Sequence, residues 1–236
     1  RKDEVLLLDV IPLSLGLETM GGVVEKLVQR NSPIPIAQAQ VFTTFQDGQT
    51  GMDIHVVQGE RELVADNRSL ARFRLSGIPP MAAGMGRVQV TFRVDADGIL
   101  SVTAREESTG VEQQVTVKPT HGLTDEEIEQ MLLDSIDHAE DDMRRRLLAE
   151  QRVEAERLLL DAAKQLSENG DLLSRQERAD LEARLTTLRE EVRVQEDPDA
   201  LKTAISTVDA HARPFVERIM NRAIGQAAVG HRVEDF

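Results

Sequence analysis

The chain contains no cysteine, tryptophan or tyrosine. Without thiols it can form no disulfide, hold no thiolate-bound metal and run no thiol chemistry; this suits a reducing compartment, and we expect a cytoplasmic protein. Six phenylalanines are too few for the stacking platforms on which single-stranded nucleic acids lie. Cationic charge is scarce too, since 28 Lys and Arg against 42 Asp and Glu leave a net charge of −14. Proteins that grip a phosphate backbone draw most of their affinity from a basic surface, so no nucleic-acid partner is expected. Long apolar runs are also missing. Even the stretch from Val5 to Leu17 is broken by Asp9 and Pro12 and falls short of the roughly 18 residues a membrane-spanning helix needs, so no membrane partner is expected. The start at Arg1, with no basic leader ahead of an apolar stretch, leads us to expect a segment of a longer protein without a secretory signal.

What is present divides into two kinds of sequence. The 236 residues are 40% apolar, enough for at least one core. Residues 1–118 carry 12 basic and 15 acidic side chains, and residues 119–236 carry 16 and 27. Twelve of the 15 glycines and six of the eight prolines precede Leu123. In this turn-rich part, short β-branched and apolar stretches recur at Val23 to Val28, Ile36 to Phe45, Asp53 to Gln58, Arg87 to Val94, Leu100 to Thr103 and Glu112 to Val117. They predict the strands of a compact antiparallel sandwich. Asp97-Gly98 predicts a two-residue hairpin, because glycine accepts the positive φ such turns require, and Asp47-Gly48 plays a similar part. Pro79-Pro80 and Gly84 predict an irregular loop.

From Leu123 the apolar period lengthens. Thr124 with Glu127 predicts a capping box, in which the threonine oxygen accepts an early helix N–H and the glutamate reaches back to the cap. Ile128, Leu132, Ile136, Ala139, Met143 and Leu147 then recur three or four apart, predicting one long amphipathic helix to about Glu168, where Asn169-Gly170 would supply a left-handed stop. Ser174 with Glu177 repeats the capping box ahead of Leu181, Leu185, Leu188 and Val192. Asp197-Pro198 predicts a last helix start, with Pro214 bending that helix and the chain loosening from Gly225. Three such stripes can be buried against one another, as in a small antiparallel bundle.

No catalytic or metal constellation emerges. His55, His121, His138, His211 and His231 lack metal-ligand spacing. Asp95 and Asp97 before Gly98 resemble the start of a calcium loop, but Ile99 occupies the next ligand position and no glutamate closes it. Gly84-Met85-Gly86 lacks the strand–turn–helix setting of a nucleotide fingerprint. The run Arg144-Arg145-Arg146 predicts a solvated face or partners for Glu140 to Asp142. The residues alone therefore describe a binding module of unspecified ligand and no enzyme.

At VLLLDVIPLSLGLETMGG, Val5 to Gly22, the chain closely resembles the 70-kilodalton heat-shock chaperones of the DnaK type. IHVVQGERELVADNRSL from Ile54, the segment around DADGIL at Asp97, and GLTDEEIEQM from Gly122 continue the match in the same order, to about Met220. The resemblance implies an interdomain linker (Val5, Leu6, Leu7, Leu8 and Asp9, closing residues 1–9) and a β-sandwich peptide-binding subdomain over 10–118. It further implies an α-helical lid and antiparallel helix bundle over 119–225 and a flexible tail over 226–236. ATP and magnesium would belong to the chain's own nucleotide-binding domain, outside this segment, which would itself hold no cofactor and hydrolyse no ATP. The family pattern puts Leu17, Thr19, Met20, Val23, Phe42, Thr43, Phe45, Gln49, Met52, Ile54 and Val88 at channel positions. Met20 and Phe45 would arch over an extended client peptide, while Phe42, Met52, Ile54 and Val88 would line its central pocket.

Three departures narrow the resemblance. Phe45 replaces a small arch residue and Met52 a pocket valine, implying a narrower channel and a more restricted peptide repertoire. Ala83 replaces a loop arginine that pairs with a lid aspartate in the general chaperones, and Glu156 stands at the lid position, implying that this latch is missing and the lid less tightly held. These features resemble the branch of the family specialised in iron–sulfur cluster biogenesis. That implies a J-type co-chaperone, HscB, and the cluster scaffold IscU as client, recognised through a Leu-Pro-Pro-Val-Lys segment.

Overall fold

A computed structural model describes residues 9–231. Of the expected linker only Asp9 is among them; Val5 to Leu8 lie outside the described residues. The chain forms two compact units, residues 1–146 and 147–236, and the division falls inside a helix rather than where strands give way to helices.

The first unit holds two four-stranded antiparallel sheets. One contains β1 (Leu15–Thr19), β2 (Val23–Val28), β4 (Gly51–Gln58) and β5 (Arg68–Ser76), ordered β2-β1-β4-β5; the other contains β3 (Ile36–Thr43), β6 (Arg87–Val94), β7 (Leu100–Glu106) and β8 (Glu112–Val117), ordered β3-β6-β7-β8. The period of two in RVQVTFRV decides what is buried: Val88, Val90, Phe92 and Val94 face inward and the residues between them do not. Across the ladder they meet Glu106, Ala104, Val102 and Leu100 in register. All of these side chains but that of Glu106 form one apolar core with Leu15, Leu17, Ile54, Val56 and Leu75 of the other sheet. Burying one side chain the size of Phe92 contributes roughly 3 kcal/mol.

Two strands, β1 and β5, are absent from the sequence expectation, and the other six fall where it put them, within a few residues. The connection after β6 also differs in form. Asp95 N donates to Ile99 O at 3.0 Å and Gly98 N to Asp95 O at 3.0 Å, so the loop has three residues, not two, with Gly98 at φ +79. The Asp95 carboxylate accepts from the N–H of Asp97 and of Ile99, both at 2.9 Å, so this aspartate shapes a turn.

The helices are α1 (Asp125–Asp137), α2 (Ala139–Asn169), α3 (Arg175–Val194) and α4 (Pro198–His231). Both capping boxes form: Thr124 Oγ1 and Ser174 Oγ each accept from the N–H three residues on at 3.2 Å, and each N-cap N–H donates to the glutamate at 2.8 Å. The single helix expected from Thr124 to Glu168 is in fact two, broken at His138. Beyond the break, the opening turns of α2 are fastened to the β4–β5 connection. Arg61 grips Asp142 with two parallel bonds of 2.5 and 2.9 Å, Arg145 reaches Asp66 at 2.8 Å, and Arg146 reaches Glu62 at 2.9 Å and Val24 O at 2.8 Å. Arg145 and Arg146 of the basic run thus partner acids of the sandwich, and Arg145 also approaches Asp142 within the helix at 3.5 Å. The hydrogen bond from Arg61 holds the buried Asp142 carboxyl below the ordinary range against the opposing cost of burial.

In the second unit the remainder of α2 packs with α3 and α4 around Leu166, Leu181, Leu185, Leu188, Leu201, Ile205, Val208 and Phe215. Asn169-Gly170 does not supply a left-handed stop. Gly170 keeps an ordinary φ and opens a single 3-10 turn, with the Arg178 guanidinium lying close over it. Helix α4 runs through Pro214 and is helical from Gly225 to His231, where a loose segment was expected.

Candidate functional site

A cavity of about 520 Å³ opens where the ends of the two sheets and their loops meet. Strand β1 supplies Leu17 and Thr19, and the turn after it Met20; β3 supplies Phe42 and Thr43; the β3–β4 loop supplies Phe45 and Gln49; β4 supplies Met52 and Ile54. Nine of the eleven expected channel residues therefore share one cavity. Val23 and Val88 do not line it: both are buried, Val88 completely, in the packing beneath. At Val88 the alternation of β6 turns the side chain into the sandwich core beside Val90 and Phe92.

Local chemistry fixes the rim. Met20 occupies the second position of a tight turn closed by Gly22 N donating to Thr19 O at 3.1 Å, with Gly21 at φ +88 in the position that demands a positive value. On the opposite strand pair, the Gln49 side-chain oxygen accepts from Phe45 N at 2.9 Å while its amide nitrogen donates to Gly51 O at 2.8 Å. Gln49 is thus a brace for the loop that carries Phe45. The same loop is tied to the β5–β6 loop: Thr44 N donates to Gly86 O at 3.0 Å, Gly84 N to Thr44 O at 2.7 Å, and Ala83 N to the Asp47 carboxylate at 2.8 Å.

Sequence reasoning missed Glu18, Asp53, His55 and Arg72, which also border the cavity. Their signal was the strand alternation itself, since each neighbours an inward residue. His55 is buried, with Nδ1 2.6 Å from Glu18 Oε2 and Nε2 2.8 Å from Ser69 Oγ, linking β1, β4 and β5. The order Ser–His–Glu resembles a catalytic relay, but Ser69 lies within a strand and outside the cavity, so the row acts as a cross-strand tether. Asp53 pairs with Arg74 at 2.8 Å in solvent. Among the described residues, no group of three or more His, Asp and Glu is placed to hold a metal ion, and no helix is long and apolar enough to cross a membrane. What remains is an apolar slot between two braced loops, suited to a side chain or short segment of a polymer.

Comparison with known proteins identifies the family of the chain. The family model described as Hsp70 protein matches residues 1–221. Curated relatives named chaperone protein HscA homolog include one from Mannheimia succiniciproducens, 56% identical over 233 residues, which are 99% of this chain and 38% of the relative. Another, from Cupriavidus pinatubonensis, is 56% identical over 234 residues, with 99% of this chain and 38% of the relative aligned. A third, from Shewanella loihica, is 56% identical over 235 residues, with 100% of this chain and 38% of the relative aligned. The chain thus spans about 38% of the length of these relatives. With a family model matched along nearly its whole length and a sandwich-plus-helices architecture to accompany it, the chain belongs to the Hsp70 family.

Proposed function

We propose that the chain is the client-binding part of a chaperone, and that the cavity between β1, β3 and β4 clamps an extended apolar segment of a client. The observation that carries this reading is the gathering of Leu17, Phe42, Met52 and Ile54 around one opening flanked by Met20 and Phe45. An extended peptide offers the same backbone N–H and C=O groups whatever its sequence, so one deep apolar pocket selects among segments while the backbone supplies general affinity. Methionine suits such a pocket because its unbranched thioether repacks around different side chains.

From the likeness to relatives named HscA homolog we infer that the client is the iron–sulfur cluster scaffold IscU, gripped through a Leu-Pro-Pro-Val-Lys segment, with HscB as the J-type co-chaperone and the cytoplasm as the compartment. Binding would be switched by ATP in a nucleotide-binding domain joined through Val5 to Asp9. Fluorescence anisotropy of a labelled peptide carrying that segment, competed by unrelated apolar peptides, tests the reading. We expect selective binding that falls at least about tenfold in Met52→Trp, since an indole overfills the pocket. Equal binding of all the peptides would point instead to a general folding chaperone, and binding of none would overturn the peptide-clamp reading.

A further inference from the structure

Seven methionines are the only sulfur-bearing side chains in the chain, and there is no cysteine to consume an oxidant ahead of them. Four are exposed: Met85 at 64%, Met220 at 58%, and Met20 and Met143 at 49% each. Of these four only Met20 borders the cavity. It occupies the second position of the β1–β2 turn and lines the cavity at its rim, and the two glycines that follow it, both at positive φ, carry no side chain to cover the thioether. Met52, on β4 in the same cavity, is half-buried.

We propose that Met20 is an oxidative modification site, and that its conversion to the sulfoxide by a peroxide weakens the grip of the cavity on apolar segments. A sulfur lone pair attacks one oxygen of hydrogen peroxide; the S–O bond forms as the O–O bond breaks, and the departing hydroxide takes up the proton that the transferred oxygen gives up and leaves as water. Sulfur loses two electrons and the peroxide gains them. The product carries a strongly polar S–O group at a rim whose Thr19, Thr43 and Arg72 could pair with it only away from the apolar surface that Leu17, Phe42 and Ile54 offer a client. An apolar client side chain docking against the oxidised Met20 must displace water from that oxygen and supplies no donor of its own in return. Oxidation at Met85, Met143 and Met220 adds the same atom away from the cavity and leaves the grip alone. Methionine sulfoxide is enzymatically reducible, so the change is reversible.

This inference rests on the client-binding reading, and its test separates the two. The chain is treated with hydrogen peroxide, the oxidant is removed, and oxygen uptake at each methionine is mapped by mass spectrometry of its peptides. Affinity for one labelled apolar peptide is then compared before and after treatment for the parent chain, for Met20→Leu, and for the triple variant Met85→Leu, Met143→Leu, Met220→Leu. The expected result is a loss of about tenfold in the parent and the triple variant, the cost of about one unpaired polar group. In Met20→Leu, whatever its own starting affinity, treatment should change nothing. Unchanged affinity with Met20 fully oxidised, resistance of Met20 to peroxide, or an equal loss in Met20→Leu would each overturn the inference while leaving peptide binding intact. A reduced chain that binds no peptide overturns both.

Discussion

The two units solve the problem of burial differently. In the sandwich every inward residue of β6 and β7 from Val88 to Glu106 is essentially removed from solvent, because paired strands present flat faces that cover each other completely. In the helical unit Leu166, Leu185, Ile205, Val208 and Phe215 retain some exposure, because three cylinders cannot close over one another's stripes. Backbone conformation divides the same way. All nine glycines at positive φ fall between Gly21 and Gly122, and none lies in the helical unit. The difference teaches where a binding site can be built: sharp turns bring loops together over the sandwich, whereas the helices spend their sequence on stripes, caps and ion pairs.

Substitution in the two cores tests this contrast most strongly. Phe92→Ala should cost about 4 kcal/mol and Leu188→Ala about 3 kcal/mol, the looser core collapsing more readily around its cavity. Chemical denaturation with hydrogen exchange would measure both, and a larger loss for Leu188→Ala would reverse the ranking. A somewhat smaller effect is expected where a helix is fastened to the sandwich. Asp142→Ala takes the nearest partner from the largely buried Arg61 guanidinium, leaving Asp66 at 3.7 Å, and should cost about 2 kcal/mol, with exchange protection lost first at the opening of α2. Loss confined to the sandwich core, with α2 still protected, would show that the pair does not hold the helix.

The smallest effect concerns one carboxylate in each unit. Glu106 and Glu177 are both held at about 2, for different reasons. Around Glu106 the donors are neutral: first the Thr109 hydroxyl, then the Ser108 hydroxyl and the N–H groups of both residues, acting against burial. Glu177 is held chiefly by the Arg218 guanidinium, with Ser174 assisting. Both depressed values mean stability present above the unfolded value near 4.5 and lost as the pH falls towards 2. Salt screens the ionic partner and spares the neutral ones, so an NMR titration in about 1 M salt should move Glu177 upward and leave Glu106 in place. Equal movement of the two would erase the distinction.

Much of this was legible in the sequence where a local rule suffices. Thr124-x-x-Glu127 and Ser174-x-x-Glu177 declare their helix starts, and RVQVTFRV declares its faces. Strand β5 was not read because three arginines, Arg68, Arg72 and Arg74, interrupt it and its apolar face is carried by few residues. The break at His138 was invisible because the apolar stripe continues across it; what lies beyond is the attachment of Asp142, Arg145 and Arg146 to distant residues. The nine cavity residues came from resemblance, as did Val23 and Val88, whose side chains the structure buries outside the cavity lining.

The Gln49 amide has one more implication. By standing in for the backbone contacts of a turn, it gives the β3–β4 loop its shape before any ligand arrives. A segment entering beside Phe45 then meets a preorganised rim, and the entropy of ordering that loop is settled when the chain folds rather than when it binds.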